Sequence, residues 1–476
     1  MKPKLSLCWI RRDLRLADHR ALFEACCVSQ SVAVVFVYDT TILEKLKDKN
    51  DRRMTFINKS LQLVDQKLRD KGSALITLYG DPCEEIPLLA TRLSVEAVFC
   101  NRDYEPSAKE RDKIVADLLQ SKGIAFHSYK DQVVFEGLDI ATKTGNSFRV
   151  FTPYKRAWLE KLAIEDIRIF RPNLKKLTPI KYLKATLVSR TLNDIGFQNA
   201  KIWLEAGEDA AQKRLTKFLK NIDNYEKIRD LPGEGGTSGL SVHLRFGTIS
   251  IRSLVREAFK FKSKGSKAWL SELIWRDFYQ MILDRFPNIV EHTFLPQYDQ
   301  IKWPGSNAHF NAWKEGRTGY PLVDAAMRHF NATGWMHNRL RMVVASFLTK
   351  DLLVYWRRGE QYFAENLLDY DLAANNGGWQ WCASTGCDAQ PYFRIFNPVN
   401  QSKKFDPKGK FIRNNVPELA KFTDKRIHWP HGATIEEQKK ALCMMGKDYP
   451  RPIVDHSLQR AKALQLFKSI KNNLVN

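Results

Sequence analysis

The chain has 476 residues, 44% of them hydrophobic, and a formal net charge of +23. That length suffices for two or three domains, and no run approaches the ~20 apolar residues that cross a bilayer, so a membrane-spanning helix is not expected. So large a positive surplus points to a polyanionic partner, nucleic acid before an anionic membrane surface, with an evenly spread solubility charge as the plain alternative.

The opening Met-Lys-Pro-Lys runs straight into a strand-like stretch and carries no signal-peptide core. The eight cysteines show no CxxC spacing: Cys26 and Cys27 are adjacent, and four residues separate Cys382 from Cys387. Without a matching His or Cys cluster no metal site is expected, and reduced thiols in a cytoplasmic protein are the simplest account.

Short apolar runs at 5–10, 31–38, 74–79, 96–100 and 124–129 alternate with amphipathic stretches such as 52–71 and 107–122. This alternation predicts an α/β domain over 1–130 with a parallel, Rossmann-like sheet. The first strand is not followed by Gly-x-Gly-x-x-Gly. Arg11-Arg-Asp-Leu-Arg15 stands there instead; arginines of such a turn are often only solvated, and alone they receive no role. Residues 131–205 read as a connector, with a turn at Lys143-Thr-Gly-Asn146 and prolines at Pro153, Pro172 and Pro179. Beyond 206 the period is helical at 208–221, 248–263, 266–285, 320–333, 338–354 and 360–368, and a basic amphipathic helix is predicted over 455–474. A mainly α domain over 206–476 follows.

The chemistry is concentrated in that second domain, where nine of the twelve tryptophans lie at or after Trp269. Indole can stack on a base, line a pocket for an aromatic cofactor and pass single electrons. Gly233-Glu-Gly-Gly-Thr-Ser-Gly-Leu-Ser241 is a small-residue loop running into a helix-like segment. It offers N–H groups and hydroxyls to phosphate oxygens, or is simply a flexible turn. Glu272, Trp275, Arg276 and Tyr279 recur at helical spacing on one face. Acid, indole, guanidinium and phenol suit a nucleobase and its phosphate better than a core, with a solvated face as the alternative. In Trp335-Met-His-Asn-Arg-Leu-Arg-Met342, Asn338 and Met342 are i, i+4 neighbours. Asp369-Tyr-Asp371 and Asn375 precede Trp379 and Trp381. Two acids in a basic domain call for a cation such as Arg341, and a neutral Asn beside a redox ring could tune its protonation. Helix capping is the plain alternative for these residues.

Taken together, Trp9-Ile-Arg-Arg-Asp-Leu-Arg15, Gly236-Thr-Ser-Gly-Leu-Ser241, Glu272-Leu-Ile-Trp-Arg-Asp-Phe-Tyr279, Thr318-Gly-Tyr-Pro-Leu-Val-Asp-Ala-Ala-Met-Arg328, Gly334-Trp-Met-His-Asn-Arg-Leu-Arg-Met342 and Asp371-Leu-Ala-Ala-Asn-Asn-Gly-Gly-Trp-Gln-Trp381 resemble the photolyase/cryptochrome family. They occur in family order over nearly the whole chain. The closest resemblance is to class I cyclobutane pyrimidine dimer photolyases.

The resemblance implies an α/β antenna domain and a helical domain holding FAD. It implies phosphate and ribose contacts from Tyr225, Thr237, Ser238, Gly239, Leu240 and Ser241, with Trp269 on the adenine side. Asp369, Tyr370, Asp371 and Asn375 would lie along the isoalloxazine, Asn375 facing its N5, and Arg341 would pair with Asp369. Trp379, Trp356 and Trp303 match the tryptophan chain that carries electrons inward. Glu272, Trp275, Asn338, Met342 and Trp381 match the pocket for the extruded dimer. Arg229, Arg276 and Arg339, beside Tyr279, match the DNA-facing residues. The implied activity is light-dependent dimer repair in UV-damaged DNA by a monomeric enzyme.

Two departures stand out. Gly239 occupies a position where some relatives carry arginine, and Asn101-Arg-Asp-Tyr-Glu-Pro-Ser-Ala-Lys109 lacks the Asn-Glu pair of folate antennas. Methenyltetrahydrofolate, a deazaflavin, another chromophore or none thus remain open as second chromophore. Three rivals are a cryptochrome photoreceptor, a (6-4) photolyase and a non-enzymatic nucleic-acid-binding protein. Asn375, and a chain that stops about 20 residues after Asp455-His456, favour repair over signalling. Met342, where a second histidine would mark a (6-4) enzyme, disfavours that substrate.

Overall fold

The computed structural model describes residues 4–472, so the last two residues of the helix predicted over 455–474 and the opening Met-Lys-Pro fall outside the described residues. The chain divides into two compact units. One runs up to Asp223 and includes Ser238–Pro287; the other is Asn224–Thr237 with the residues from Asn288 onward.

The first unit is built on five parallel strands, β1 (Leu5–Trp9), β2 (Ser31–Asp39), β3 (Leu75–Gly80), β4 (Ala97–Asn101) and β5 (Ala125–Tyr129), in the order β3-β2-β1-β4-β5. Leu7 is in register with Ala33 on one side and Val98 on the other. Seven consecutive residues of β2 and all of β4 are buried, the mark of strands covered on both faces. The covering helices include α1 (Arg20–Val28), α2 (Arg52–Arg69), α3 (Pro82–Arg92) and α4 (Pro106–Gln120). Asp51 caps α2, its carboxylate accepting from the Arg53 N–H at 2.8 Å.

This unit extends well beyond residue 130. It takes in α5 (Phe151–Lys161), α6 (Glu208–Leu219), α7 (Ser241–Arg245), α8 (Ile251–Lys260) and α9 (Lys264–Arg285). The cause lies in buried polar links that a periodicity reading does not see. The arginine turn after β1 is not solvated: Arg15 is 3% exposed, pairs with Asp131 and donates to the Gly247 carbonyl at 2.9 Å. Arg252 on α8 pairs with both Asp18 and Asp131. Burial alone would raise the Asp131 pKa, but the Arg15 and Arg252 guanidiniums overrule it and hold it low. Removing one member of such a buried network typically costs about 3–5 kcal/mol. Gly247 (φ +63) has no room for a side chain, since a Cβ there would lie 2.0 Å from the Arg12 carbonyl oxygen.

Asp277 anchors α9. Its Oδ2 accepts from the N–H groups of Val134 (3.0 Å) and Phe135 (3.3 Å) and from the Trp158 indole (3.1 Å), while Oδ1 has no partner among the described residues. Burial pushes its pKa up to about 6. The unfolded chain therefore releases this proton at a pH where the fold still keeps it, so raising the pH from about 4 to 6 costs stability, and above that window the cost is constant. Asp277→Asn is expected to remove this slope, gaining on the wild type between pH ~4.5 and ~7 in urea-unfolding midpoints. An unchanged gap would place the titration elsewhere.

The second unit is helical: α10 (Asn307–Glu315), α11 (Pro321–Thr333), α12 (Asn338–Ser346), α13 (Trp356–Asn366), α14 (Leu372–Ala383), α15 (Pro398–Phe405), α16 (Lys410–Asn415) and α17 (His456–Asn472). Its core gathers Trp313, Phe330, Leu340, Val344, Phe347, Trp356, Phe363 and Trp379. The stretch read as one helix over 338–354 changes at Phe347–Asp351 into a π turn. Lys350 in that turn is 1% exposed, and its Nζ donates to the Ala383 carbonyl and the Ser384 hydroxyl, both at 3.0 Å. This amine thus caps the C-terminal end of α14. Burial drives the Lys350 pKa well down. Among the described residues no helix is long and apolar enough to cross a membrane.

Candidate active site

In the first unit, α9 presents Glu272, Trp275, Arg276 and Tyr279, all half-buried, on the side away from Asp277. The Trp275 indole stacks on Phe151 with centroids 3.7 Å apart and planes 9° apart. Tyr279 lies tilted beside it at 5.4 Å. Phe151 holds the indole rigidly and occupies one face, so a base can stack only on the opposite one. Arg276 donates to the Gln132 carbonyl. Trp269, 3% exposed, packs against Phe218 of α6 at 4.9 Å. The loop Ser238–Ser241 enters the short helix α7, with Gly239 at φ +60.

The second unit holds the other candidates. Arg341 on α12 pairs with Asp369, Nη2 reaching the two carboxylate oxygens at 3.0 and 2.8 Å, while its Nε donates to the Met336 carbonyl. Asp371 caps α14 by accepting from the Ala374 N–H at 3.1 Å. Tyr370 is half-buried between the two acids. On α14, Asp371, Asn375 and Gly378 follow at i, i+4 and i+7 and share a face. A Cβ on Gly378 would meet nothing within 4 Å, so α14 opens onto free space at Gly378. The Asn375 amide nitrogen donates to the Glu360 carbonyl oxygen (3.1 Å) and to its carboxyl Oε1 (3.3 Å). This orientation leaves Asn375 Oδ1 as an acceptor with no donor among the described residues.

The three candidate electron carriers lie in this unit as well. Trp379 and Trp356 are buried at 3% and 0% exposure, and Trp303 is half-buried. Gly359, one turn beyond Trp356, lets the Trp379 ring press onto α13: a Cβ there would lie 2.2 Å from the indole. Tyr355 stands 6.3 Å from Trp303 and 6.0 Å from Trp356 between centroids. The Gly305 N–H bonds the Leu353 carbonyl at 2.9 Å and ties the Trp303 segment to that turn. Asn338 is exposed, and Met342 and Trp381 are half-buried at the edge of the core. Arg339 pairs with Asp230 at 3.0 Å and lies 4.3 Å over the Phe405 ring. Arg229 sits over the ring of Tyr225, which is 6% exposed.

Glu360, Lys350 and Asp230 escaped the sequence reading. Each acts through a partner on another element, and only Glu360 left a faint signal, an acid one turn after Trp356. Burial raises the Glu360 pKa.

The open face of α14 suits a flat, hydrogen-bonding ring: it has an unused amide oxygen, no Cβ at Gly378, and an anchored ion pair in the segment that leads into it. A deoxyribodipyrimidine photo-lyase of Vibrio cholerae is 39% identical over 485 residues, covering 98% of this chain and 100% of the relative. Residues 269–469 match the FAD binding domain of DNA photolyase, and residues 6–174 match the DNA photolyase family.

The chain belongs to the photolyase/cryptochrome family.

It therefore carries a photolyase FAD-binding domain, and α14 with its open face lies inside it. The Escherichia coli deoxyribodipyrimidine photo-lyase is likewise 39% identical, with 98% of each chain covered. Among solved structures, a class III photolyase from Agrobacterium tumefaciens matches at a TM-score of 0.91 and 34% identity, over 99% of this chain and 98% of that one. A Synechocystis cryptochrome matches at 0.89 and 27% identity, over 98% and 99%. The Sulfolobus tokodaii photolyase structure, which matches at a TM-score of 0.82 and 32% identity over 98% of this chain and 100% of that one, contains two FAD molecules.

Proposed function

We propose that this protein repairs cyclobutane pyrimidine dimers in DNA, using photoexcited, reduced FAD as the electron donor. The observation that carries the reading is the α9 face of Glu272, Trp275 and Tyr279, set in a chain whose full-length relatives are named deoxyribodipyrimidine photo-lyases. Photolyases are among the known base-flipping enzymes, and extruding a damaged, poorly stacked base costs a few kcal/mol. Stacking on Trp275 and Trp381 returns about 1–3 kcal/mol per base. Glu272 hydrogen-bonds a pyrimidine carbonyl and steadies charge as it develops there. Asn338 and Met342 are further residues for contact with the extruded dimer.

Tyr225 and Thr237 to Ser241 hold the cofactor's phosphates and ribose, Trp269 its adenine, and Asp369 to Asp371 its ring. Asn375 Oδ1 accepts from a ring nitrogen that bears a proton. When bound, FAD supplies one electron to the dimer and takes it back once the cyclobutane ring has opened. Trp303, Trp356 and Trp379 pass single electrons between surface and interior. Arg229, Arg276 and Arg339 bind the DNA backbone, and Arg339 exchanges Asp230 for a phosphate when it does so.

Trp275→Ala is expected to lower affinity for a dimer-containing oligonucleotide by about tenfold, in line with the loss of one stacked base. Its affinity for undamaged DNA should hardly change, and both affinities should fall steeply with salt. Equal losses on the two DNAs would make Trp275 a scaffold residue. The likeness to a cryptochrome supports a second reading, light sensing, in which photochemistry proceeds without any change in the DNA.

A further inference from the structure

Arg214 on α6 reaches the loop Ser238–Ser241 from outside it. Its Nε donates to the Gly239 carbonyl at 3.2 Å. Its Cζ, Nε and Nη2 all lie 3.1 Å from where a Cβ on Gly239 would stand, so the guanidinium fills the space beside the bare glycine. The same head lies 4.8 Å over the Trp203 ring. Among the described residues Nη1 and Nη2 have no acceptor and no carboxylate pairs with them. Burial lowers the Arg214 pKa, and nothing acidic offsets it.

Other arginines of this unit are matched: Arg15 with Asp131, Arg252 with Asp18, Arg12 with Asp103. A half-buried cation without an anion is costly to keep unless an anion arrives from elsewhere. The loop supplies further donors. The backbone N–H groups of Ser238 and Gly239 meet no acceptor among the described residues. One turn along α6 from Arg214, Phe218 packs on Trp269. A single helix thus sends one residue to the loop and the next to the indole.

We propose that Arg214 is a binding residue for the diphosphate of the cofactor and makes this protein select a diphosphate-bearing flavin over one with a single phosphate or none. This rests on the reading that the Ser238–Ser241 loop receives the cofactor's phosphates. Neither matched family segment (6–174 and 269–469) contains Arg214 or that loop. The guanidinium donates two or more charged hydrogen bonds to phosphate oxygens while Gly239 keeps the backbone close.

The test is flavin rebinding to the stripped full-length protein, read by fluorescence quenching with FAD, FMN and riboflavin at several salt concentrations. Arg214→Met keeps the aliphatic bulk on Trp203 and removes the charge. It is expected to weaken FAD binding about tenfold or more, on the scale of a charged hydrogen bond, and to flatten the salt dependence. Riboflavin binding and the unfolding midpoint should stay as in the wild type, and Arg214→Lys should fall between. Unchanged FAD affinity in Arg214→Met, or an equal loss for riboflavin, would overturn the proposal while leaving the cofactor reading intact. A wild type that binds riboflavin as tightly as FAD would overturn both.

Discussion

Trp356→Phe is expected to slow photoreduction of the oxidised cofactor by at least about tenfold, which corresponds to 1.4 kcal/mol in activation free energy, and to leave repair by pre-reduced protein nearly unchanged. The reasoning starts from position. Trp356 is fully buried at the head of α13, with Tyr355 on one side and, through bare Gly359, the Trp379 ring pressed onto the same helix. Its indole N–H has no hydrogen-bond partner among the described residues. A benzyl ring there keeps most of the packing but gives up electrons far less readily than indole. The volume lost should cost only about 1–2 kcal/mol of stability, offset in part because an unpaired buried N–H goes with it. Blue illumination with an external thiol, following flavin bleaching, checks the first half; dimer reversal by chemically reduced protein checks the second. If both activities fall together, Trp356 is a packing residue and the electron path lies elsewhere.

Arg341→Ala should be the more damaging substitution for the fold. The Asp369 side chain is 2% exposed and Arg341 is its ion-pair partner. Alanine leaves a buried carboxylate without a cation, a loss of about 3 kcal/mol, or a melting point lower by on the order of 10 °C for a unit of this size. FAD content should fall with it, because Asp369 leads directly into the capped start of α14. Arg341→Lys keeps the charge but gives up the fork that spans both Asp369 oxygens and the Met336 carbonyl, so it should recover only part of the loss. Thermal unfolding and the flavin-to-protein absorbance ratio measure both effects. A change within about 0.5 kcal/mol, the range of ordinary surface substitutions, would show that the pair is ornamental.

The five strands were legible because each is a short apolar run bounded by turns, and in a parallel sheet burial on both faces writes itself directly into composition. The strand predicted over 31–38 is β2, Ser31–Asp39, and that over 96–100 is β4, Ala97–Asn101. Helix periods were read with similar success, since 208–221 contains α6 and 266–285 nearly coincides with α9. What sequence spacing could not disclose is which distant groups meet. Arg15, Asp131 and Arg252 draw the predicted connector and α8 into the unit of the sheet. The π turn at Phe347–Asp351 hides inside an unbroken apolar pattern because its purpose, placing Lys350 on the end of α14, is tertiary. At the site, the Arg341–Asp369 pair was anticipated from the family resemblance and is seen in the structure. Glu360 behind Asn375, Asp230 on Arg339 and Arg214 at Gly239 are each one charged residue among many in a lysine- and arginine-rich chain. Only the folded backbone singles them out.

The most direct test of dimer repair is to illuminate the purified, reduced protein with a defined oligonucleotide containing one thymine dimer, and to follow restoration of the intact thymines against a dark control. Repair in the light, multiple turnovers per protein and none in the dark is the predicted result. Flavin photochemistry that leaves the dimer untouched in the light would contradict it and leave light sensing as the better account.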